Sequence, residues 1–350
     1  SAILMERSTG TVLYEKNADE HLSPASVTKV MTLLLIMEQL DSGQLATSDI
    51  VTASAHASSM GGSQIWLKEG EQMSVDEMLK CIAVNSANDC AVAMAEHISG
   101  SEEAFTKRMN DRAKELGMEN TQFLNCTGLT DDPGHYTTAR DIACMSRALL
   151  AHPRIREYTT IWMDTVRGGT FGLSNTNKLI RFYSGATGLK TGYTSGAGYC
   201  LSASAQKEGM ELIAVVMGAR TSQTRNAACK ELLDYGFANF AVVTPEPEAL
   251  PQVAVRLGKQ AQVPARMAES AGMLIEKSQR SGITTEISLK ESVAAPVTRG
   301  QTLGSLAVKS GEQILRQIPL VAAEDVEKLT TGDIFLAVLR KAAMAKEGTE

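Results

Sequence analysis

The sequence has little of what marks a metalloprotein, a redox protein or a nucleic-acid-binding protein. Its five histidines and six cysteines form no HExxH or CxxC pattern, so we expect neither a metal site nor a redox pair. The net charge is −6 and the basic residues are spread along the chain, which argues against nucleic acid as a partner. The longest apolar run, Val30 to Met37, is far shorter than the roughly 18 residues that cross a bilayer. These absences favour a globular protein that acts on a small molecule or on a polymer not recognised by charge.

Apolar periodicity predicts two domains. Residues 1–243 combine helical periods with two strand-like segments, GYCLSASA and LIAVVMGA, that flank a turn; we interpret them as helices grouped against an antiparallel sheet, an α+β class. The stretch TPEPEALP, residues 244–251, contains three prolines and is predicted to be a linker. Residues 252–350 alternate at strand length between glycine-containing turns, which predicts a small all-β domain.

The C-terminal tail, from Asp333 onward, has an amphipathic pattern. Its apolar residues are Ile334, Phe335, Val338 and Leu339, and its basic residues are Arg340, Lys341 and Lys346. The pattern is compatible with an amphipathic helix that contacts a membrane surface, and also with a capping helix or a frayed end.

The stretch SPASVTKVMTLLLIM, residues 23–37, places a serine and a lysine at the start of an apolar helix. Ser26 and Lys29 are three residues apart, so they project from the same helix face and can form a hydrogen bond. A serine hydroxyl becomes a good nucleophile when a base takes its proton, and a lysine is such a base when burial or another cation lowers its pKa. Free N–H groups at the helix start can stabilise an oxyanion. By itself the pair is also typical of a helix-start serine beside a surface lysine.

Two further polar stretches accompany this pair. Ser86-Ala87-Asn88 supplies a hydroxyl and an amide within a cluster of turn formers, Asn85 to Asp89, that we expect to form a loop between two buried helices. Lys190-Thr191-Gly192 opens a predicted strand with a cation, a hydroxyl and a position without a side chain, against which a peptide can lie. Separately, the two stretches are typical of a helix–helix turn and a strand start. Together with Ser-x-x-Lys, and in this order, they are the set found in penicillin-binding proteins and class A β-lactamases.

The chain resembles one family closely: the low-molecular-mass penicillin-binding proteins that are serine-type D-alanyl-D-alanine carboxypeptidases. The likeness covers nearly the whole chain and includes the segments LMERSTGTVLYEKNADEHLSPASVTKVMT, HYTTARDIA, GLKTGYTSGAGYCLSASA and VVMGARTSQTRNAACKELLDYGF, followed by a β-rich domain after a proline-bearing linker. Within the family it resembles most the sporulation-type enzymes of Gram-positive bacteria.

This resemblance implies a penicillin-binding/β-lactamase-like transpeptidase domain followed by the small β domain. It implies removal of the terminal D-alanine from peptidoglycan stem peptides that end in D-Ala-D-Ala, covalent inhibition by β-lactams, and no metal or organic cofactor. It also implies an exported, extracytoplasmic protein, and family members are often held to the cell membrane by a C-terminal amphipathic helix.

The resemblance also assigns catalytic roles to residues of this sequence. Ser26 is expected to be the acylated nucleophile and Lys29 its general base. Lys190 is expected to disfavour a second positive charge and so to keep Lys29 neutral. Ser86 would relay the proton to the departing D-alanine, and Asn88 would hold the substrate amide or the Lys29 amine.

Substrate binding is assigned in the same way. The oxyanion hole is expected from the backbone N–H groups of Ser26 and Tyr193. The free carboxylate of the substrate is expected to bind Thr191, Thr194 and Arg225, since hydroxyls and guanidinium groups are suited to carboxylates. Arg220 is the alternative to Arg225, because it directly follows the predicted strand.

Two other functions remain open at this point. A class A β-lactamase carries a Glu-x-x-Leu-Asn segment between the second and third motifs, and no such segment lies between Asn88 and Lys190. A non-hydrolytic penicillin sensor or wall-associated structural protein is the second alternative, although all three motifs are intact. The cysteines have mostly apolar neighbours, as buried thiols do, and a disulfide at the loop cysteine Cys126 is left open.

Overall fold

The computed structural model describes residues 1–244, 249–269 and 272–336, apart from the side chains of residues 280 and 281. The chain divides into two compact units, Ser1–Asn239 and Phe240–Glu350. The division lies a few residues before the predicted end of the first domain at 243, because residues 240–243 form a strand that pairs within the second unit. Residues 245–248 of the predicted linker lie outside the described residues.

The first unit is built around a five-stranded antiparallel sheet. Its strands are β1 (Ala2–Glu6), β2 (Val12–Lys16), β3 (Ile50–Thr52), β4 (Gln72–Ser74), β5 (Met163–Val166), β6 (Phe171–Ser174), β7 (Ala186–Thr194), β8 (Gly198–Lys207) and β9 (Met210–Ala219). The sheet has the order β2-β1-β9-β8-β7, while β3 pairs with β4 and β5 with β6. Strand β7 is therefore the last strand of the main sheet, so its outer edge can receive an added strand.

Helices cover both faces of this sheet. They are α1 (Lys29–Asp41), α2 (Ala55–Ser58), α3 (Val75–Val84), α4 (Asn88–Ser99), α5 (Glu102–Glu115), α6 (Ala139–Leu150), α7 (Ile155–Thr159), α8 (Leu179–Phe182) and α9 (Ser222–Asn239). Helix α9 packs on β8 and β9, and α6 packs on β9 and β1. Residues 210–217 of β9 are all buried, which explains the continuous apolar run in their sequence.

Helix α1 lies in the middle of the unit. Nearly all of its residues are buried, as expected of a helix that is apolar on every side. Helix α3 begins with a capping box in which the Ser74 hydroxyl accepts from the Glu77 amide, at 3.3 Å, and the Glu77 carboxylate accepts from Ser74. These two helices bring the first two motifs toward β7.

The second unit is all β apart from short helical turns. Its strands are β10 (Phe240–Val243), β11 (Gln252–Arg256), β12 (Gln262–Met267), β13 (Met273–Glu276), β14 (Ile283–Leu289), β15 (Ser292–Ala294), β16 (Thr302–Ser310) and β17 (Gln313–Ala322). Six of them form the sheet β14-β16-β17-β12-β11-β15, and β10 pairs with β13. Residues 331–336 are helical; the rest of the predicted tail helix, with Val338, Leu339 and its basic residues, lies outside the described residues. No helix in the described ranges combines the length and apolarity needed to cross a membrane.

Candidate active site

The Ser-x-x-Lys motif occupies a helical turn at the start of α1. Ser26 lies in a short 3₁₀ helix, Ala25–Thr28, and α1 begins directly at Lys29. The Lys29 ammonium nitrogen, Nζ, lies 3.1 Å from the Ser26 hydroxyl oxygen, Oγ. Ala25 has a φ of 46°, a strained conformation for a residue with a side chain, and this bend directly precedes Ser26. The predicted hydrogen bond is therefore present, in a 3₁₀ turn rather than in a regular α-helix.

Lys29 is fully buried, and three oxygens surround its amine. Besides Ser26, Nζ donates to Asn88 Oδ1 at 2.5 Å and to the Thr127 carbonyl at 2.9 Å. Burial lowers the pKa of Lys29 from 10.5 to about 7, and the Asp89 carboxylate acts in the opposite direction. A substantial fraction of this amine is thus unprotonated near neutral pH, as a general base requires.

Lys190 is the second buried lysine of the site. It lies in β7, is 1% exposed, and its Nζ donates to the Thr191 carbonyl at 3.0 Å. Its pKa is well below that of an ordinary lysine because of burial, and the positive charges of Lys29 and Arg225 lower it further. For both lysines burial is the largest cause of the shift, which is one of the two causes expected from the sequence; repulsion between the lysines lowers the pKa of Lys190.

The Ser86-Ala87-Asn88 segment connects α3 to α4. Ser86 is buried, has a φ of 63°, and its hydroxyl has no hydrogen-bond partner among the residues that the structure describes. Asn88 is the first residue of α4, so the helix begins within the polar stretch predicted to be a loop. The Asn88 amide donates from Nδ2 to the Gly61 carbonyl at 2.8 Å, which leaves Oδ1 to accept from Lys29.

The Lys-Thr-Gly segment brings β7 against the nucleophile turn. A methyl group placed on Gly192 would lie 2.6 Å from the Pro24 carbonyl oxygen and 3.1 Å from the Ser26 nitrogen, so only glycine allows this approach. The Thr191 hydroxyl donates to Thr176 at 2.6 Å. The strand therefore lies directly against the Ser26 turn at Gly192.

The residues after Lys-Thr-Gly border open space. Tyr193 is 56% exposed, and its ring lies 4.3 Å from that of Tyr199. The Thr194 hydroxyl accepts from the Ala197 amide at 3.0 Å. A cleft of about 730 Å³ opens between this turn and the loop that contains Asp132. This cleft lies at the carboxyl end of β7: its lining includes Ser23 and Thr194 but not Ser26 or Lys190.

Arg225 is a buried cation in the first turn of α9. It is 5% exposed, and its guanidinium donates to Asn226 Oδ1 at 3.0 and 3.1 Å and to the Cys200 carbonyl at 3.4 Å. It forms no ion pair with any acidic side chain of the described residues, and burial lowers its pKa. Arg220, the alternative from the sequence, is exposed. A buried guanidinium without an acidic partner is suited to an external carboxylate.

The loop around Thr127 contacts Lys29, a role that was not predicted from the sequence. The Asn125 side chain accepts from the Gly128 amide at 2.7 Å and shapes this loop, which presents the Thr127 carbonyl to Lys29. A methyl group on Gly128 would lie 1.8 Å from the Ala25 oxygen. The Asn and Gly of NCTGL were a turn signal, but a backbone carbonyl has no signature of its own in the sequence.

The cysteines are all free thiols, and five of the six are buried. The Cys126 thiol donates to Glu102 at 3.2 Å, and burial raises its pKa well above the ordinary value. Within residues 1–244, 249–269 and 272–336 no group of histidine, cysteine and acidic side chains is placed to hold a metal ion. The active-site chemistry that the described residues offer is that of hydroxyls, amines, amides and one guanidinium.

Comparisons with known proteins identify the family. A family model described as D-alanyl-D-alanine carboxypeptidase, Peptidase S11, matches residues 1–221, and one for the C-terminal domain of penicillin-binding protein 5 matches residues 245–328. The chain is 48% identical over 334 residues to the D-alanyl-D-alanine carboxypeptidase DacF of Bacillus subtilis, covering 94% of this chain and 86% of DacF. It is 36% identical over 336 residues to DacC of Escherichia coli, covering 93% and 84%.

Solved structures show the same likeness. Penicillin-binding protein 5 of Haemophilus influenzae superimposes with a TM-score of 0.80 at 31% identity, over 93% of this chain and 97% of that one. Penicillin-binding protein D2 of Listeria monocytogenes, in its ampicillin-bound form, superimposes with a TM-score of 0.62 at 31% identity, over 67% of this chain and 96% of that one.

Proposed function

This chain belongs to the D-alanyl-D-alanine carboxypeptidase family, and on that premise we propose that it removes the terminal D-alanine of peptidoglycan stem peptides through an acyl-enzyme on Ser26. The predicted family, the fold class and the assignment as a hydrolase are confirmed by the family models and by the relatives. The observation that carries the mechanism is the buried Lys29 amine, 3.1 Å from the Ser26 hydroxyl, with a pKa of about 7.

Acylation begins with proton transfer from Ser26 to Lys29. Ser26 Oγ then attacks the carbonyl carbon of the penultimate D-alanine, and the backbone N–H groups of Ser26 and Tyr193 stabilise the oxyanion. Collapse of this intermediate forms the ester and breaks the peptide bond. The proton taken from Ser26 passes through Lys29 and the unpartnered Ser86 hydroxyl to the amine of the departing D-alanine.

Deacylation uses the same groups in reverse. A water molecule attacks the ester carbonyl and gives up one proton to Lys29. That proton returns to Ser26 Oγ as the ester bond breaks, and the shortened peptide leaves with a new carboxylate. The two lysines disfavour simultaneous protonation, since the charge of Lys29 lowers the pKa of Lys190, and Asn88 holds the Lys29 amine in place throughout.

A carboxypeptidase must also bind the free C-terminal carboxylate of its substrate. We assign it to Thr191, Thr194 and Arg225, with the peptide lying along the edge of β7 as an added strand. Arg225 supports this assignment because it is buried and has no acidic partner among the described residues.

Penicillin acylates the same serine in this proposal, and the adduct is long-lived. The sequence lacks the Glu-x-x-Leu-Asn segment that activates water in class A β-lactamases. A related Listeria protein has been crystallised with ampicillin and with cefotaxime, which favours β-lactams as ligands of this fold. A β-lactamase and a non-hydrolytic penicillin sensor are the alternatives that the experiment below must exclude.

The test combines two measurements on the purified protein and on Ser26→Ala. A peptide ending in Lys-D-Ala-D-Ala is expected to release D-alanine with the wild type and not with Ser26→Ala. Mass spectrometry after treatment with benzylpenicillin is expected to show a stable adduct on the peptide that contains Ser26. Rapid recovery of free protein would indicate a β-lactamase, and a stable adduct without release of D-alanine would indicate a sensor.

We also propose an extracytoplasmic location, because peptidoglycan lies outside the cytoplasm. Contact with the cell membrane through the tail after Asp333 is part of this proposal. Fractionation of cells that express the full-length protein is the test. Recovery with the exported and membrane-bound proteins is expected, and recovery in the cytoplasm alone would refute the proposal.

A further inference from the structure

Asp89 is a buried carboxylate directly beside the site and has no role in the mechanism above. It is fully buried in the first turn of α4, next to Asn88. Its Oδ2 accepts from the backbone amides of Ile65 and Leu67, both at 3.0 Å, and its Oδ1 accepts from that of Cys90 at 2.9 Å. Its partners are therefore backbone amides, and two of them belong to a segment distant in sequence.

That segment, residues 61–67, controls Asn88. The Ser63 carbonyl accepts from the Asn88 backbone amide at 2.7 Å, and the Gly61 carbonyl accepts from the Asn88 side chain at 2.8 Å. The first bond holds the Asn88 backbone, and the second orients its side-chain amide so that Oδ1 lies 2.5 Å from Lys29 Nζ. Asp89 holds the 61–67 segment in place. The segment in turn holds the Asn88 side chain, whose oxygen accepts from Lys29.

Asp89 is also the anion that acts on Lys29. Cys126 faces Lys29 from the neighbouring loop, but its pKa is raised well above the ordinary value and its thiol donates to Glu102, so it carries no charge at neutral pH. Lys190 in β7 has a pKa well below that of an ordinary lysine, and Arg225 in α9 contributes positive charge to the site. Arg167, which donates to the Ile65 carbonyl at 2.8 Å, is paired with Glu71.

We propose that Asp89 is a positioning residue for the acyl-transfer reaction: it holds the 61–67 segment against Asn88 and, by its charge, keeps Lys29 a competent base. The proposal rests on the function proposed above. Burial lowers the pKa of Lys29, and the charge of Asp89 acts in the opposite direction. A buried anion thus keeps the pKa of the Lys29 amine near the working pH, where general-base catalysis is most effective.

The test is Asp89→Asn. This substitution removes the charge and replaces one oxygen, which accepts hydrogen bonds from backbone amides, by an NH2 group, which donates them. The second-order rate of acylation by benzylpenicillin is measured between about pH 5 and about pH 10, with D-alanine release in parallel. We expect the rate plateau to fall about 10- to 100-fold, and the pH at half-maximal rate to fall by about one unit because the ammonium form has lost its anion.

Asp141→Asn is the matched control. Asp141 is also a buried carboxylate in the first turn of a helix, α6, and accepts from the Asn120 amide and the Thr121 hydroxyl, but it does not act on Lys29. We expect Asp141→Asn to lower thermal stability without moving the pH profile. An unchanged pH profile in a folded Asp89→Asn protein would overturn the electrostatic part of the proposal.

Gly62→Ala tests the positioning part without changing any charge. Gly62 is exposed and has a φ of 72°, and a methyl group there would lie 2.8 Å from Asn88 Nδ2. We expect slower acylation in this variant, and wild-type rates would overturn the positioning part even if Asp89→Asn did not fold. Failure of wild-type protein to acylate at all would instead refute the proposed function, so the two failures are distinguishable.

Discussion

Replacing Gly192 by alanine tests how closely β7 must approach the nucleophile. The added methyl group would meet three backbone atoms: the Pro24 oxygen at 2.6 Å, the Val27 nitrogen at 3.0 Å and the Ser26 nitrogen at 3.1 Å. None of these atoms can rotate away as the end of a flexible side chain can. The strand and the turn must therefore separate.

The size of the separation follows from the contact distances. An ordinary carbon–oxygen contact begins at 3.4 Å, so the Pro24 oxygen must move by about 0.8 Å relative to β7. A misplacement of about 1 Å at a reacting group typically costs about 100-fold in rate. We expect acylation of Ser26 in Gly192→Ala to slow by roughly that factor, while overpacking destabilises the fold by about 1–3 kcal/mol.

The assay is the acylation rate with benzylpenicillin, together with the thermal unfolding midpoint. Gly172→Ala is the matched control, because Gly172 also lies in a strand and a methyl group there would meet nothing within 4 Å. The control is expected to keep the wild-type rate. A wild-type rate in Gly192→Ala would show that the contact between β7 and the Ser26 turn does not position the nucleophile.

Two further predictions concern Arg225 and His135. Arg225→Gln is expected to lower kcat/KM about 10- to 100-fold for a peptide with a free C-terminal carboxylate, but little for the same peptide with a C-terminal amide. The control Arg220→Gln should change kcat/KM for neither peptide. An equal loss on both peptides in Arg225→Gln would contradict the assignment. His135 is buried, accepts from the Leu124 amide and donates to the Thr28 hydroxyl at 2.8 Å, and burial lowers its pKa to about 4. Because unfolded chains bind this proton already near pH 6.5, the stability that a neutral His135 supplies should be lost as pH falls from about 6.5 to about 4. His135→Gln should weaken that loss in acid unfolding curves, and curves identical to the wild type would contradict the burial argument.

The sequence predicted the catalytic side chains because their chemistry is visible in residue type and spacing. Ser26 and Lys29 lie three residues apart, and this short-range geometry survives the change from an α-helix to a 3₁₀ turn. The role of Lys190 could be predicted only from the family resemblance, because the sequence of a strand does not indicate which turn the strand packs against. Strand β7 can approach the Ser26 turn because Gly192 has no side chain, and this close approach is visible only in three dimensions.

The residues that the sequence argument missed act through the backbone or through burial. Thr127 contributes a backbone carbonyl, an atom that every residue type has. Asp89 was grouped with the turn formers around Asn85, whereas in the structure it lies in the first turn of α4, where a carboxylate accepts helix and loop amides. The low pKa of Lys29 likewise depends on complete burial, which composition and spacing do not determine.

The account depends most on an uncharged Lys29 amine beside Ser26, and NMR titration of that lysine measures it directly. The free enzyme would be prepared with lysine isotope-labelled at Cε, and the Lys29 resonance identified by its absence in Lys29→Met. We predict that Lys29 titrates with a pKa of about 7 in the folded protein. Titration near the ordinary lysine value of 10.5 would contradict the account, because the amine would then be an ammonium at the pH where the enzyme must act.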